Sequence, residues 1–258
     1  MDGTKETERE ERENAYRKLI TEVRESYLSE PGGLFWSKDC DEINLWTYWQ
    51  GRGNLYPKIL VVGQDWGAPE EAGTRQVMDN IRRMKAGEDV LYMDEHTNPT
   101  DGNLIRLFET IGYKIHKRDQ KNCDLFFTNL VLGYRRGNIS GGLKPEWIRH
   151  DAKYFKSLAE ILMPKVILCL GKETFKGVLK ALGEPYPKGL DRFNRFLDSG
   201  ENFVKVTRGN EETYVFSMAH PGSLGVLNRN RGKEKMPDSL YYQKKDWENV
   251  KEKLNNIR

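Results

Sequence analysis

Three short apolar runs constrain this chain most: Ile59-Leu60-Val61-Val62, Leu125-Phe126-Phe127 and Val166-Ile167-Leu168-Cys169-Leu170. None alternates between apolar and polar as a half-buried strand would, so each reads as a strand covered on both faces. Helical periodicity fills the intervals. Leu104, Leu107, Phe108 and Ile111 recur on one face before Gly112. Pro145 opens a longer helix through Trp147, Ala152, Phe155, Leu158 and Leu162, which Pro164 ends. A further helix is expected over 173–182, and a last one carries Leu240, Trp247, Val250 and Leu254. Strands that alternate with helices predict an α/β fold, with a mostly parallel sheet between two helical layers.

The remaining segments are less regular. Residues 4–27 read as an amphipathic helix with Tyr16, Leu19, Ile20, Val23 and Tyr27 on one face. Residues 1–30 are assigned as a charged helical extension, and 31–258 as a single domain. The tryptophan-rich stretch 35–56 is expected to cap the core. Residues 68–101 are too long for an idle connection; a helix over 74–85 and a functional loop over 87–101 are expected there. Phe203 to Val206 and Thr213 to Ser217 flank a Gly209-Asn210 turn and read as a hairpin or a strand with its return. The glycine-rich, basic stretch from His220 to Pro237 reads as a loop.

A net charge of +3 over 258 residues announces no global basic field, so any site for a polyanion must be local. The longest apolar runs are strand-length, which argues against a membrane span. The charged N-terminus lacks the apolar core of a secretory signal, and a cytoplasmic monomer is expected. Cys40, Cys123 and Cys169 are widely spaced, which disfavours a cysteine-built zinc or iron–sulfur site; no metal and no cofactor are expected.

In an open α/β sheet, ligands bind just past the carboxyl ends of the strands. Three strand ends carry suitable side chains. Asp65 follows the first strand two residues after Gly63, Asn129 ends the second, and His220 follows the strand Phe216-Ser217-Met218-Ala219. Each has an ordinary alternative: a helix cap for Asp65, a turn-stabilising amide for Asn129, a structural imidazole for His220. Read together, the three are expected to converge on one pocket. Arg135 and Arg136 follow one of these strands, and Arg229, Arg231, Lys233 and Lys235 follow another, as a phosphate-gripping rim would require. Gly171-Lys172-Glu173-Thr174 falls short of a phosphate loop, because the glycine needed five residues earlier is Val166.

These motifs resemble the uracil-DNA glycosylase superfamily. Gly63-Gln64-Asp65-Trp66-Gly67 is similar to the Gly-Gln-Asp-Pro-Tyr motif of its uracil-specific members. Phe126-Phe127-Thr128-Asn129-Leu130 resembles their base-reading strand, and His220-Pro221-Gly222-Ser223-Leu224 their His-Pro-Ser-Pro-Leu motif. Asn103 to Phe108, the helix after Pro145 and Met163 to Gly171 are closer to the iron–sulfur branch. The resemblance spans roughly residues 55–250.

The resemblance implies a three-layer α/β/α fold around a four-stranded, mostly parallel sheet. It also implies hydrolysis of the N-glycosidic bond of a uracil or related deaminated base flipped out of DNA. Asp65 and His220 would be the catalytic residues. Gly63, Gln64, Trp66, Gly67 and Asn129 would hold the base. Ser223, Leu224, Arg229, Arg231 and Arg135 would face DNA, with Leu224 as the wedge that fills the vacated stack. The chain departs from the pattern where Trp66-Gly67 replaces Pro-Tyr, which removes the tyrosine that excludes thymine. The stacking aromatic has no clear match, with Trp66 and Tyr92 as candidates. A catalytically silent member that binds DNA or a free base is the alternative reading.

Overall fold

The structure, a computed structural model, describes residues 3–36, 55–67, 99–115, 124–135, 142–209 and 211–256. The expected helix over 74–85, Tyr92, Arg136 and most of the functional loop lie outside them. In chain order the elements are helix α1 (Gly3–Ser26), β1 (Leu34–Phe35), β2 (Ile59–Gly63), β3 (Trp66–Gly67), α2 (Pro99–Thr110), β4 (Leu125–Asn129) and β5 (Tyr134–Arg135). There follow α3 (Pro145–Leu162), β6 (Val166–Leu170), α4 (Lys172–Leu182), α5 (Phe193–Asp198), β7 (Phe203–Arg208), β8 (Glu211–Met218), α6 (Ser223–Asn230) and α7 (Tyr241–Asn256).

The main sheet has the order β4-β2-β6-β8-β7. The first four strands run parallel and β7 pairs antiparallel with β8. The sheet therefore has five strands where four were expected: the hairpin around residue 209 adds the antiparallel edge strand β7. Because side chains alternate across a strand, the apolar runs feed two cores. Leu60, Val62, Phe126, Ile167, Cys169 and Val215 face the layer of α1, α3 and α4. Ile59, Val61, Phe127, Leu168 and Phe216 face the layer of α2 and α7. Burial of each such side chain contributes about 1.5–3 kcal/mol, which fixes register, since a slip of one residue would exchange the two faces.

Helix α1 shares this core. Tyr16, Leu19 and Val23 are buried, and Tyr16 meets Phe126 edge-on with ring centroids 6.1 Å apart. A small second sheet, β1-β5-β3, lies beyond the carboxyl end of β2. In it β5 pairs antiparallel with β1 and parallel with β3.

The stretch 220–237 is not all loop: α6 occupies its first half. Its glycines suggest a loop, but Gly222 and Gly225 serve close approach. A Cβ at Gly225 would come 2.1 Å from the His220 carbonyl oxygen, so only glycine lets this helix fold back over the strand end.

Candidate active site

The connection from β2 leads to β4 on one side, and the connection from β6 leads to β7 and β8 on the other. The crevice between the carboxyl ends of β2 and β6 is therefore a topological switch point. Asp65 lies just past one of these ends. Asn129 lies at the end of β4, next to β2, and Gly63 is its register partner. His220 follows β8, two strand spacings or roughly 10 Å from β2. The fold thus brings Asp65, Asn129 and His220 to one edge of the sheet.

Gly63 is required by Asn129. A Cβ at residue 63 would stand 2.1 Å from Asn129 Oδ1, so the amide lies directly across the glycine. Asn129 is buried, at 8% exposure. The main chain beside it is fully engaged: Leu130 N–H donates to the Gly63 carbonyl at 3.0 Å and Val131 N–H to that of Gln64 at 3.1 Å.

The Asp65 side chain is 7% exposed and forms an ion pair with the guanidinium of Arg135, itself 12% exposed. Gln64 Nε2 donates weakly to Asp65 Oδ1 at 3.4 Å. Burial raises the Asp65 pKa above the ordinary carboxylate value, and Arg135 and Gln64 offset part of that rise. The guanidinium also lies 4.8 Å from the centroid of the Trp147 ring. Arg135 is therefore aimed at the candidate carboxylate, and its expected role as a phosphate contact is corrected.

His220 accepts a hydrogen bond at Nδ1 from Gly222 N–H at 3.0 Å. The proton of a neutral imidazole must then reside on Nε2, which makes Nε2 a donor. The residue keeps solvent-exposed surface, yet the protein packed around its ring penalises the charged form and lowers its pKa. Two side chains hold the turn. Gln243 Nε2 donates to the His220 carbonyl at 2.9 Å, and Asn103 Nδ2 to the Pro221 carbonyl at 2.7 Å. Neither was singled out as a site residue. Gln243 nevertheless lies on the apolar stripe that runs through Trp247, Val250 and Leu254, and a polar residue there is a legible signal.

Ser223 and Leu224 begin α6 in exposed positions, Leu224 at 70% exposure, with Leu227 beside it at 61%. Arg231 is exposed just beyond the helix. Arg229 is a second correction. It is 2% exposed and points inward, its Nε and Nη2 donating to the two carboxylate oxygens of Asp246, each at 2.7 Å. Nη2 also reaches Asp198 at 2.7 Å. A guanidinium spent on two carboxylates cannot grip a phosphate from outside. Lys233 likewise pairs with Asp198. Lys172, at the failed phosphate motif, donates to the Asp191 carbonyl at 3.2 Å. The backbone of Trp66 and Gly67 forms β3.

Among the described residues no three histidine, cysteine or acidic side chains are grouped to hold a metal. Cys169 is buried, and burial pushes its thiol pKa up. No helix among the described residues is long and apolar enough to cross a membrane.

What these strand ends define is a class: an α/β chain with a carboxylate, an amide and an imidazole past the carboxyl ends of its parallel strands. No protein-family model matches the sequence, and no curated protein matches it.

Proposed function

We propose that the chain is a monofunctional DNA glycosylase that hydrolyses the N-glycosidic bond of a flipped-out uracil or related deaminated base and leaves an abasic site. One observation carries this reading: Asp65, Asn129 and His220 end or follow parallel strands at one edge of the sheet. The four parallel strands β4-β2-β6-β8 would be the counterpart of the four-stranded sheet implied by the resemblance, with β7 an addition. The reading includes DNA as partner and a cytoplasmic monomer that needs no metal or organic cofactor.

The chemistry follows from what each group offers. As the bond from C1′ to the base nitrogen breaks, positive charge develops on the sugar and negative charge on the departing base. An ionised Asp65 would stabilise the cation and orient the water that attacks C1′. His220, neutral with its proton on Nε2, would donate to a base carbonyl oxygen and stabilise the anion without first losing a charge of its own. Asn129 offers a donor and an acceptor to the base edge. Leu224, exposed at the start of α6, would enter the vacated stack, and Ser223 and Arg231 would touch backbone phosphates.

The ion pair between Asp65 and Arg135 supports a second reading, a silent member that binds DNA or a free base, because a neutralised carboxylate is a poorer partner for a developing cation. Labelled single- and double-stranded oligonucleotides with uracil, a thymine mismatch or a deaminated purine separate the two. Alkali-dependent strand scission at the modified base supports the glycosylase. Asp65→Asn and His220→Ala should each lower turnover about 100-fold or more while sparing DNA binding. Binding without scission on every substrate would favour the silent member.

A further inference from the structure

We propose that Arg135 is the positioning residue for Asp65 and that residues 27–36, in the N-terminal segment, hold Arg135 in place, so that this segment is a working part of the site. The proposal deepens the glycosylase reading, on which only its catalytic consequence rests; the pairing itself does not depend on it.

Arg135 is gripped on several sides. Its charge meets Asp65 and its guanidinium carbon lies over the Trp147 ring. Trp147 is tied to the N-terminal segment, with Nε1 donating to the Gly32 carbonyl at 3.0 Å. Gly32 has φ +63°, and a Cβ there would come 2.7 Å from the indole, so the contact admits only glycine. Strand β1 pairs Leu34 with Arg135 and Phe35 with Tyr134, which ties the backbone of β5 to the same segment. β5 in turn pairs with β3, immediately after Asp65.

A buried polar cluster fixes the approach to β5. Asp151, wholly buried on α3, accepts from the Tyr27 hydroxyl and from Leu132 N–H at 2.7 Å. His150 Nδ1 lies 2.7 Å from its other oxygen. Gly133 N–H donates to the Tyr27 hydroxyl oxygen at 2.8 Å. A Cβ at Gly133 would lie 2.1 Å from the Tyr27 ring. The turn between β4 and β5 is thus moulded on Tyr27 at Gly133, two residues before Arg135.

The consequence is electrostatic. A carboxylate this sequestered favours its protonated form, and a planar guanidinium with several donors both favours the ionised form and sets its orientation. Among the described residues Arg135 is the charged group that acts on Asp65, with the Gln64 amide beside it. Trp147, from α3, faces the guanidinium and brings no charge.

The test is a carbon-13 carboxylate NMR titration of the full chain, with the Asp65 resonance assigned from Asp65→Asn. Arg135→Met should raise the Asp65 midpoint by about 1–3 pH units, the range by which a neighbouring arginine lowers an aspartate. Arg135→Lys should fall between the two, since an ammonium keeps the charge and loses the planar fork. Tyr27→Phe should move the midpoint in the same direction by less. In the oligonucleotide assay the same variants should move the acid limb of kcat in step while KM for DNA holds. An unmoved midpoint in Arg135→Met, with amide dispersion showing a folded chain, overturns the proposal. If that variant does not fold, an Arg135→Lys midpoint identical to the native one does so. A shifted midpoint with no base released from any substrate would uphold this proposal and defeat the glycosylase reading.

Discussion

The ion pair at Arg229 gives the sharpest stability prediction. Arg229 and Asp246 are 2% and 3% exposed, and the guanidinium makes two contacts of 2.7 Å to Asp246 and one to the half-exposed Asp198. Arg229→Met keeps the aliphatic volume and removes the charge, leaving a buried carboxylate without its partner. Breaking a pair of this kind costs about 3–5 kcal/mol. For a chain this long that is roughly 6–10 °C in Tm, at about 2 °C per kcal/mol. Burial already lifts the Asp246 pKa to about 6, with Arg229 working against the rise. A carboxyl raised above its unfolded value adds stability that is present below that value and lost as pH rises through the folded one. Without Arg229 the folded value climbs further. The deficit of Arg229→Met should therefore be smaller at pH 5, where Asp246 becomes a neutral acid, than at pH 8. Urea denaturation at both pH values measures this. Arg229→Met with Asp246→Leu should recover most of the loss, since an apolar pair fits where an ion pair was. Stability equal to the native chain, together with weaker DNA binding and a salt slope smaller by about one, would refute the account. Arg229 would then be a phosphate contact after all.

Two further outcomes follow from the site. Gly63→Ala would press a Cβ to 2.1 Å from Asn129 Oδ1, which must displace the amide. It should destabilise by about 1–3 kcal/mol in urea titration and weaken base binding more than DNA binding. The pH profile of kcat/KM should rise through a single acid limb as Asp65 loses its proton, centred above the ordinary carboxylate value because burial raises it. Burial lowers the His220 pKa, so a limb at or above the ordinary histidine value would contradict its neutral role.

The parts of the fold that were legible were those with a period. β2, β4 and β6 announced themselves as unbroken apolar runs, and α2, α3 and α7 as stripes. The placement of Asp65, Asn129 and His220 at strand ends was legible from the apolar runs that precede them. What escaped was set by tertiary contact. α6 was hidden because glycine normally opposes helix, and here Gly225 is retained for the approach of a carbonyl. Arg135 was visible as a cation soon after a strand end. Its direction depends on two-residue strands β1, β3 and β5, too short to carry a pattern. The partner of Arg229 did leave a trace: Asp246 and Gln243 occupy stripe positions of α7, as Asp151 does on α3. An acid on an apolar stripe signals a buried counter-charge or a main-chain anchor, and both occur here.

A crystal structure of Asp65→Asn, slowed enough to hold its substrate, with a uracil-containing oligonucleotide would show whether the three strand-end side chains meet one base. One nucleotide is expected out of the stack at the carboxyl ends of β2 and β4, its base edge against the Asn129 amide and a base oxygen within hydrogen-bond reach of His220 Nε2. A uracil still stacked in the strand, or bound away from these three residues, would contradict it.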